Sequence, residues 1–293
     1  MSAPTAGSMT GRICLVTGAT SGIGFESARA LVAAGAEVWL HGRDADRARA
    51  QAQLIAAATG RPPPASIAAD FARPAEVRRL GAELSARLPR LDVLLHNAAV
   101  LAPRAARTPE GYELTFAVNH LAPFILTQRL LPLLLRAPAA RIVIVASRAH
   151  RRGRPPAFPP LPQGGECGAF AAYARSKLCN LLFMRALAAR LATSAVTVNA
   201  VHPGVVNTGL FRSLPLACAA GSLLLRRLLL SPEEGARASV YLASSPQLTG
   251  VSGAYFEGGR PVTPSRAARE EGTAARLWSE SERLSAASAS AGE

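Results

Sequence analysis

Lysine is almost missing from this sequence. Of its 33 basic residues only Lys177 is a lysine, and the rest are arginines, so the one position that keeps a compact ammonium stands out. Cysteine is scarce as well. Cys14, Cys167, Cys179 and Cys218 form no Cys-x-x-Cys pair and no His-rich spacing, which excludes a zinc finger or a disulfide-stapled scaffold and fits reduced cytosolic thiols. Acidic residues number 19, leaving a formal charge of +14. The arginines are scattered among alanines and not gathered in blocks with aromatics, so an anionic small ligand is expected as their beneficiary and nucleic acid is not. Long apolar runs are absent too: Leu121 to Leu135 is interrupted by Gln128, Arg129 and Pro132, and Leu214 to Leu230 by Arg226 and Arg227. Neither reaches the roughly 20 apolar residues of a membrane-spanning helix. Met1 to Thr10 is polar and uncharged, unlike a secretory signal or an anchor, and a cytoplasmic location is expected.

What is present is a regular alternation. Hydrophobic residues make up 49% of 293, enough for one large core. Short apolar runs at Arg12 to Thr17, Glu37 to His41, Ala65 to Asp70, Leu91 to His96, Arg141 to Ser147, Val196 to His202 and Gly253 to Phe256 read as strands. Between them, Gly22 to Ala34, Asp44 to Thr59, Pro74 to Leu88, Pro109 to Arg136, Phe170 to Thr193 and Pro232 to Ser244 carry helical periodicity. Continuous apolar strands such as Ile142 to Val145 are buried on both faces. The expected class is α/β: a Rossmann-type, doubly wound parallel sheet of about seven strands with helices on both faces, in a single domain.

Residues 11–259 form the expected single domain, after a disordered segment at 1–10. Within it, 148–168 reads as an irregular loop and 208–230 as a substrate lid, and 260–293 as a C-terminal helix and tail, with Ala267 to Leu284 docking Leu277 and Trp278. Irregular segments of such length in compact domains are commonly functional.

The first strand runs into Thr17-Gly18-Ala19-Thr20-Ser21-Gly22-Ile23-Gly24. Glycines there let the backbone turn tightly, and free N–H groups at a helix start favour a pyrophosphate. The second strand ends in Gly42-Arg43-Asp44. An acid at that station selects NAD and an arginine accommodates the 2'-phosphate, so Arg43 favours NADP(H) over NAD(H), with Asp44 read as an acid or as a helix cap. Asp70, ending the third strand, reads equally as an acceptor for the adenine amino group and as a helix cap.

Tyr173 and Lys177 lie four apart in Tyr173-Ala174-Arg175-Ser176-Lys177. On a helix this spacing places the ammonium on the face of the phenol, where it would stabilise phenolate and let tyrosine work as an acid and base. Ser176 points away from that face. Elsewhere such a pair is ordinary surface decoration, so the rest of the chain decides.

With the glycine turn, Asn97-Ala98-Ala99, Asn119, Ser147 and Tyr173-x-x-x-Lys177 in this order, the chain resembles the short-chain dehydrogenase/reductase family over about Gly11 to Gly259. Gly111-Tyr112-Glu113, Val118-Asn119-His120-Leu121, His202-Pro203-Gly204-Val205-Val206-x-Thr208 and the long gap from Ser147 to Tyr173 look like the retinol dehydrogenase-like branch. The resemblance implies that Tyr173 exchanges a proton with the substrate oxygen as hydride is transferred, and that Lys177 stabilises phenolate and binds the nicotinamide ribose. It implies that Ser147 holds the substrate oxygen and that Asn119 holds a water relaying protons to the lysine. Gly18, Thr20, Ser21, Gly22, Ile23, Gly24, Arg43, Asp70 and Asn97 would line the cofactor, with Pro203, Gly204, Val206 and Thr208 bordering the nicotinamide. Asn-Ala-Ala stands where the commoner pattern has Asn-Ala-Gly, a small change. His120 and His202 have no third ligand to make a metal site.

The expected activity is an NADP(H)-dependent oxidoreductase interconverting a carbonyl and an alcohol on an apolar small molecule. The apolar preference rests on Leu210, Phe211, Leu214, Leu216 and Leu223 to Leu225, which would serve equally as packing or subunit contacts. A nucleotide-sugar epimerase or dehydratase would need a larger C-terminal domain. A non-catalytic dinucleotide-binding regulator on the same fold is the alternative, but it would be expected to have lost part of the Asn119, Ser147, Tyr173, Lys177 set. A homo-oligomer is expected from the resemblance, and peripheral contact of Arg226 and Arg227 with anionic lipid stays open as an accompaniment to catalysis.

Overall fold

A computed structural model describes residues 4–102, 106–156, 168–207 and 229–290. Eight strands form one sheet in the order β3-β2-β1-β4-β5-β6-β7-β8. They are β1 (Ile13–Val16), β2 (Glu37–Gly42), β3 (Ala65–Ala68), β4 (Val93–His96), β5 (Arg141–Val145), β6 (Thr197–His202), β7 (Tyr255–Glu257) and β8 (Arg260–Pro261). All neighbours are parallel except β7 and β8, which are antiparallel. The eighth strand extends the seven expected from sequence. Its two residues are exposed and one is proline, so no apolar run marks it, and proline is tolerated there because the strand lies at the edge.

The helices are α1 (Gly22–Ala33), α2 (Ala45–Thr59), α3 (Pro74–Arg87), α4 (Leu114–Phe116), α5 (Ala122–Leu135), α6 (Ala169–Arg190), α7 (Pro232–Ser244) and α8 (Glu271–Ser290). Each buried strand feeds both faces, as the two-residue period requires. Ile142 and Ile144 of β5 join a core with α3, α5, α6 and α8, while Val143 and Val145 join a second core with α1, α2 and α7. Strand order reverses between β1 and β4, and the crevice at their carboxyl ends is where ligands bind in such sheets.

Two elements differ from their sequence outlines. The helix expected over Pro109 to Arg136 is broken into α4, a π-helical turn at Ala117–Leu121, and α5. The Glu113 carboxylate starts α4 by accepting from the Thr115 and Phe116 amides, both at 2.8 Å. The C-terminal helix begins at Glu271, after a short 3-10 turn at Ala267–Arg269. Leu277 and Trp278 are buried. The indole lies edge-on to Phe124 at 5.0 Å and under the Arg190 guanidinium at 3.8 Å, so α8 shares the main core. In the loop expected at 148–168, Arg148–Arg152 forms a 3-10 helix, and 157–167 lies outside the described residues. Of the expected lid, 208–228 also lies outside them, and Leu230 pairs with Val206 in an isolated parallel bridge. Among the described residues no helix is long and apolar enough to cross a membrane.

Candidate active site

The glycine turn is built on Thr17. Its hydroxyl accepts from the amides of Asn97 (3.0 Å) and Ala98 (3.1 Å), joining β1 to the segment after β4. The Asn97 amide nitrogen donates to the carbonyls of Thr17 (2.9 Å) and Gly18 (3.2 Å). Two glycines are required by space: a Cβ on Gly18 would stand 2.8 Å from the Ala98 Cα, and one on Gly24 would stand 2.3 Å from both Asn97 Nδ2 and the Gly18 oxygen. Gly22 has φ 57, a left-handed conformation that costs other residues more. Ser21 does not cap α1 with its side chain. The amides of Ser21, Gly22 and Ile23 have no acceptor among the described residues, so this helix start offers unspent donors to an anion.

At the end of β2, Arg43 is exposed and enters no ion pair among the described residues. Asp44 is committed to capping α2, accepting from the Arg47 amide at 2.9 Å. Thr20 sits against this strand end, since a Cβ on Gly42 would lie 2.4 Å from its methyl group. Asp70 is not the cap of α3, which is Arg73; its carboxylate accepts from the Ala72 amide at 3.0 Å in a local turn.

The structure brings Ser147, Tyr173 and Lys177 together where β5 ends against α6. Lys177 is buried, donates to the Val145 carbonyl at 2.8 Å and stands 5.5 Å from the centroid of the Tyr173 ring. Burial pushes the lysine down to about 7 and the phenol up to about 12. The hydroxyl of Ser147 beside the phenol acts in the opposite direction, while itself accepting from the Ala149 amide at 3.2 Å. This reverses the sign expected from spacing alone. In the polypeptide, desolvation dominates the phenol, and the serine is the group that lowers it.

Asn119 lies in the π-helical turn, but its side chain is occupied. Its amide oxygen accepts from the Val100 amide (2.8 Å), and its nitrogen donates to the Val100 carbonyl (2.9 Å) and to Ser176 Oγ (3.0 Å). Ser176 lies off the face of Tyr173 and Lys177 and is still part of the site's support, donating to the Tyr173 carbonyl at 2.8 Å. Asn180, with its amide oriented to satisfy its neighbours, donates to the Asn119 carbonyl at 2.7 Å.

On the far rim Gly204 has φ 93, and a Cβ there would meet Leu230 at 2.4 Å. Gly235, in the first turn of α7, lets Val206 and Ile23 close over it, since a Cβ would lie 2.5 Å and 3.2 Å from their side chains. Pro203, Gly204 and Val206 thus lead from β6 toward the start of α1, and Thr208 lies outside the described residues. Among the described residues no cluster of metal-ligating side chains occurs. His120 is bonded to Ser281 at 2.9 Å and sits among Phe116, Phe124 and Phe183. Sequence reasoning did not assign roles to Thr17, His41 or Asn180. A threonine ending a buried strand before a glycine turn was the one available signal.

The model of the short chain dehydrogenase family matches residues 12–218. Retinol dehydrogenase 14 of Mus musculus is 38% identical over 289 residues, spanning 94% of this chain and 86% of that protein. Dehydrogenase/reductase SDR family member 13 of Homo sapiens is 40% identical over 286 residues, spanning 95% and 74%. Among solved structures, an uncharacterised protein of Mycobacterium paratuberculosis superposes with TM-score 0.78 at 31% identity, covering 97% of both chains. A short-chain dehydrogenase of Shigella flexneri complexed with NADP superposes with TM-score 0.70 at 29% identity, covering 86% of this chain and 98% of that one. The doubly wound sheet, the glycine turn at its switch point and these relatives together place the chain in the short-chain dehydrogenase/reductase family, as an NAD(P)-binding oxidoreductase of alcohols and carbonyls.

Proposed function

We propose that this protein is an NADP(H)-dependent oxidoreductase that interconverts a carbonyl and an alcohol on an apolar small molecule, with Tyr173 as general acid and base. The observation that carries the reading is the meeting of the Ser147 hydroxyl, the Tyr173 phenol and the Lys177 ammonium beside the crevice of the glycine turn. The chain's residues fit the cofactor: the unspent amides of Ser21, Gly22 and Ile23 would take the pyrophosphate, and Arg43 the 2'-phosphate. When bound, NADPH supplies the hydride that reduces the carbonyl carbon.

Tyr173, kept protonated by burial, gives its proton to the carbonyl oxygen, and in the reverse direction its phenolate takes the alcohol proton. Ser147 donates to the same oxygen and orients it. Lys177 holds positive charge beside the phenolate. The preference for NADP(H) is supported by an arginine left free at the end of β2 while the adjacent acid is spent on a cap. The apolar substrate is supported by Phe170, one turn before Tyr173, and by Val205 and Leu230, all exposed large hydrophobics at this rim.

The test is purified protein with NADPH or NADH against retinoids, steroids, quinones and aliphatic and aromatic aldehydes, followed by loss of nicotinamide absorbance. Turnover of apolar carbonyls with NADPH is expected. Turnover confined to NADH, or to charged polar substrates, overturns the finer reading.

A further inference from the structure

At the end of β2, where a buried parallel strand would ordinarily carry an aliphatic residue, stands His41, 3% exposed. Its Nδ1 accepts from the Gly18 amide at 3.3 Å, and its Nε2 donates to the Ala69 carbonyl at 3.0 Å. Because an amide N–H can only donate and a carbonyl can only accept, the two partners fix the neutral tautomer with hydrogen on Nε2. The main-chain oxygen of the same residue accepts from the Ala19 amide at 2.8 Å. Phe71 stacks on the ring at 4.2 Å with an interplanar angle of 16°, which fixes the plane in which both nitrogens point.

The imidazole is therefore a strut between two loops. On one side is Gly18, held from behind by Asn97 at its carbonyl and by close approach to Ala98. On the other is the end of β3, where Asp70 and Phe71 follow Ala69. The first two amides of the turn are spent on His41, and the donors left for an anion begin beyond them. A leucine of similar volume would strand the Gly18 amide and the Ala69 carbonyl without partners inside the protein, where an unpaired polar group is costly.

We propose that His41 is a positioning residue for the dinucleotide, orienting the pyrophosphate turn through its bond to the Gly18 amide, while the bond to the Ala69 carbonyl sets the tautomer that leaves Nδ1 free to accept. The inference rests on the reading of this crevice as the NAD(P) site. Its two arms separate by chemistry. In His41→Asn the amide oxygen replaces Nδ1 and keeps the acceptor for Gly18; in His41→Gln the amide nitrogen replaces Nε2 and keeps only the donor to Ala69.

The full-length chain and both variants are titrated with NADPH and with ADP by fluorescence or calorimetry, and their thermal unfolding is measured alongside. His41→Gln is expected to raise both dissociation constants about tenfold and His41→Asn by less than about threefold, as the loss or retention of one hydrogen bond predicts. The two should lose thermal stability alike. Equal weakening by both, or by neither, overturns the proposal, because a purely structural histidine predicts no split. If either variant does not fold, amide exchange on the unaltered protein decides. Gly18 and Ala19 should be protected without nucleotide, while Ser21, Gly22 and Ile23 gain protection only on adding NADPH. A fast-exchanging Gly18 amide rejects the strut. Failure of the unaltered protein to bind NADPH, NADH or ADP instead rejects the dinucleotide reading, and protection of Gly18 is read independently of it.

Discussion

The Lys177 ammonium donates to the Val145 carbonyl oxygen at 2.8 Å, inside the protein and 5.5 Å from the Tyr173 ring. This is the one lysine among 33 basic residues, and its burial brings its pKa down to about 7. A buried cation whose hydrogen-bond partner among the described residues is a single carbonyl costs stability.

That cost is measurable. The unfolded lysine titrates near its ordinary value and the folded one near 7, so between those values the unfolded chain binds more protons and stability rises with pH. Lys177→Met should abolish turnover yet make the ligand-free protein more stable at pH 7, by about 2 kcal/mol once the lost bond to Val145 is discounted. The advantage should shrink as urea unfolding is repeated from pH 7 toward pH 10. A variant less stable than the parent at pH 7 contradicts the argument. Lys177→Arg, with charge retained, should also be inactive because the wider guanidinium does not fit the Val145 bond.

Ser147 lowers the phenol of Tyr173 while burial raises it to about 12. Removing the hydroxyl in Ser147→Ala should move the phenol further up. Alcohol oxidation, which needs phenolate, should then require higher pH than in the parent, while carbonyl reduction, which needs the phenol protonated, should lose rate without that shift. Tyr173→Phe should lose turnover in both directions and keep NADPH affinity. Superimposable oxidation pH profiles for Ser147→Ala and the parent would remove the serine from this role.

Arg43 and Asp44 are neighbours with separable duties. Arg43→Ala should weaken NADPH about tenfold, the loss expected for one charge-assisted contact, with NADH little changed. Asp44→Ala should cost about 1 kcal/mol of stability as a lost helix cap and leave the ratio of the two cofactors where it was. Equal losses of NADPH and NADH in Arg43→Ala would return the 2'-phosphate contact to another residue.

The elements read directly from sequence are those whose signal is local. The apolar run Ile142 to Val145 announces a strand buried on both faces, and each of its residues is buried. Thr17 to Gly24 announces the turn because φ and close approach restrict those positions to glycine. The π-helical turn left no such trace: one extra residue in a helix does not disturb an apolar period, and its stabilising partners, Val100, Ser176 and Asn180, are distant in the chain. His41 was illegible for the same reason, since it answers main-chain groups 23 and 28 residues away. The spacing of Tyr173 and Lys177 fixes their proximity but carries no information on solvation, and solvation sets the sign of their shifts. Ser176 turns off the catalytic face, as its helical position dictates, and that places it against Asn119.

Five buried histidines make the fold sensitive to mild acid. His41 and His202 are lowered to about 4, His96 and His120 to about 3, and His150 is lowered as well, in each case chiefly by burial. Unfolded, each titrates near 6.5. As pH falls below 6.5 the unfolded chain takes up protons that the folded chain refuses, so stability is full above that value and declines toward the folded values. Each histidine contributes a slope of up to about 1.4 kcal/mol per pH unit, and the five together up to about 7. Urea unfolding at pH 7, 6 and 5 measures this above the range where most carboxylates titrate. His120→Gln, which can keep a bond to Ser281, should reduce the slope by about one fifth, because glutamine takes up no proton in this range. A slope unchanged by that substitution would mean that His120 is charged in the folded protein and that burial does not govern it.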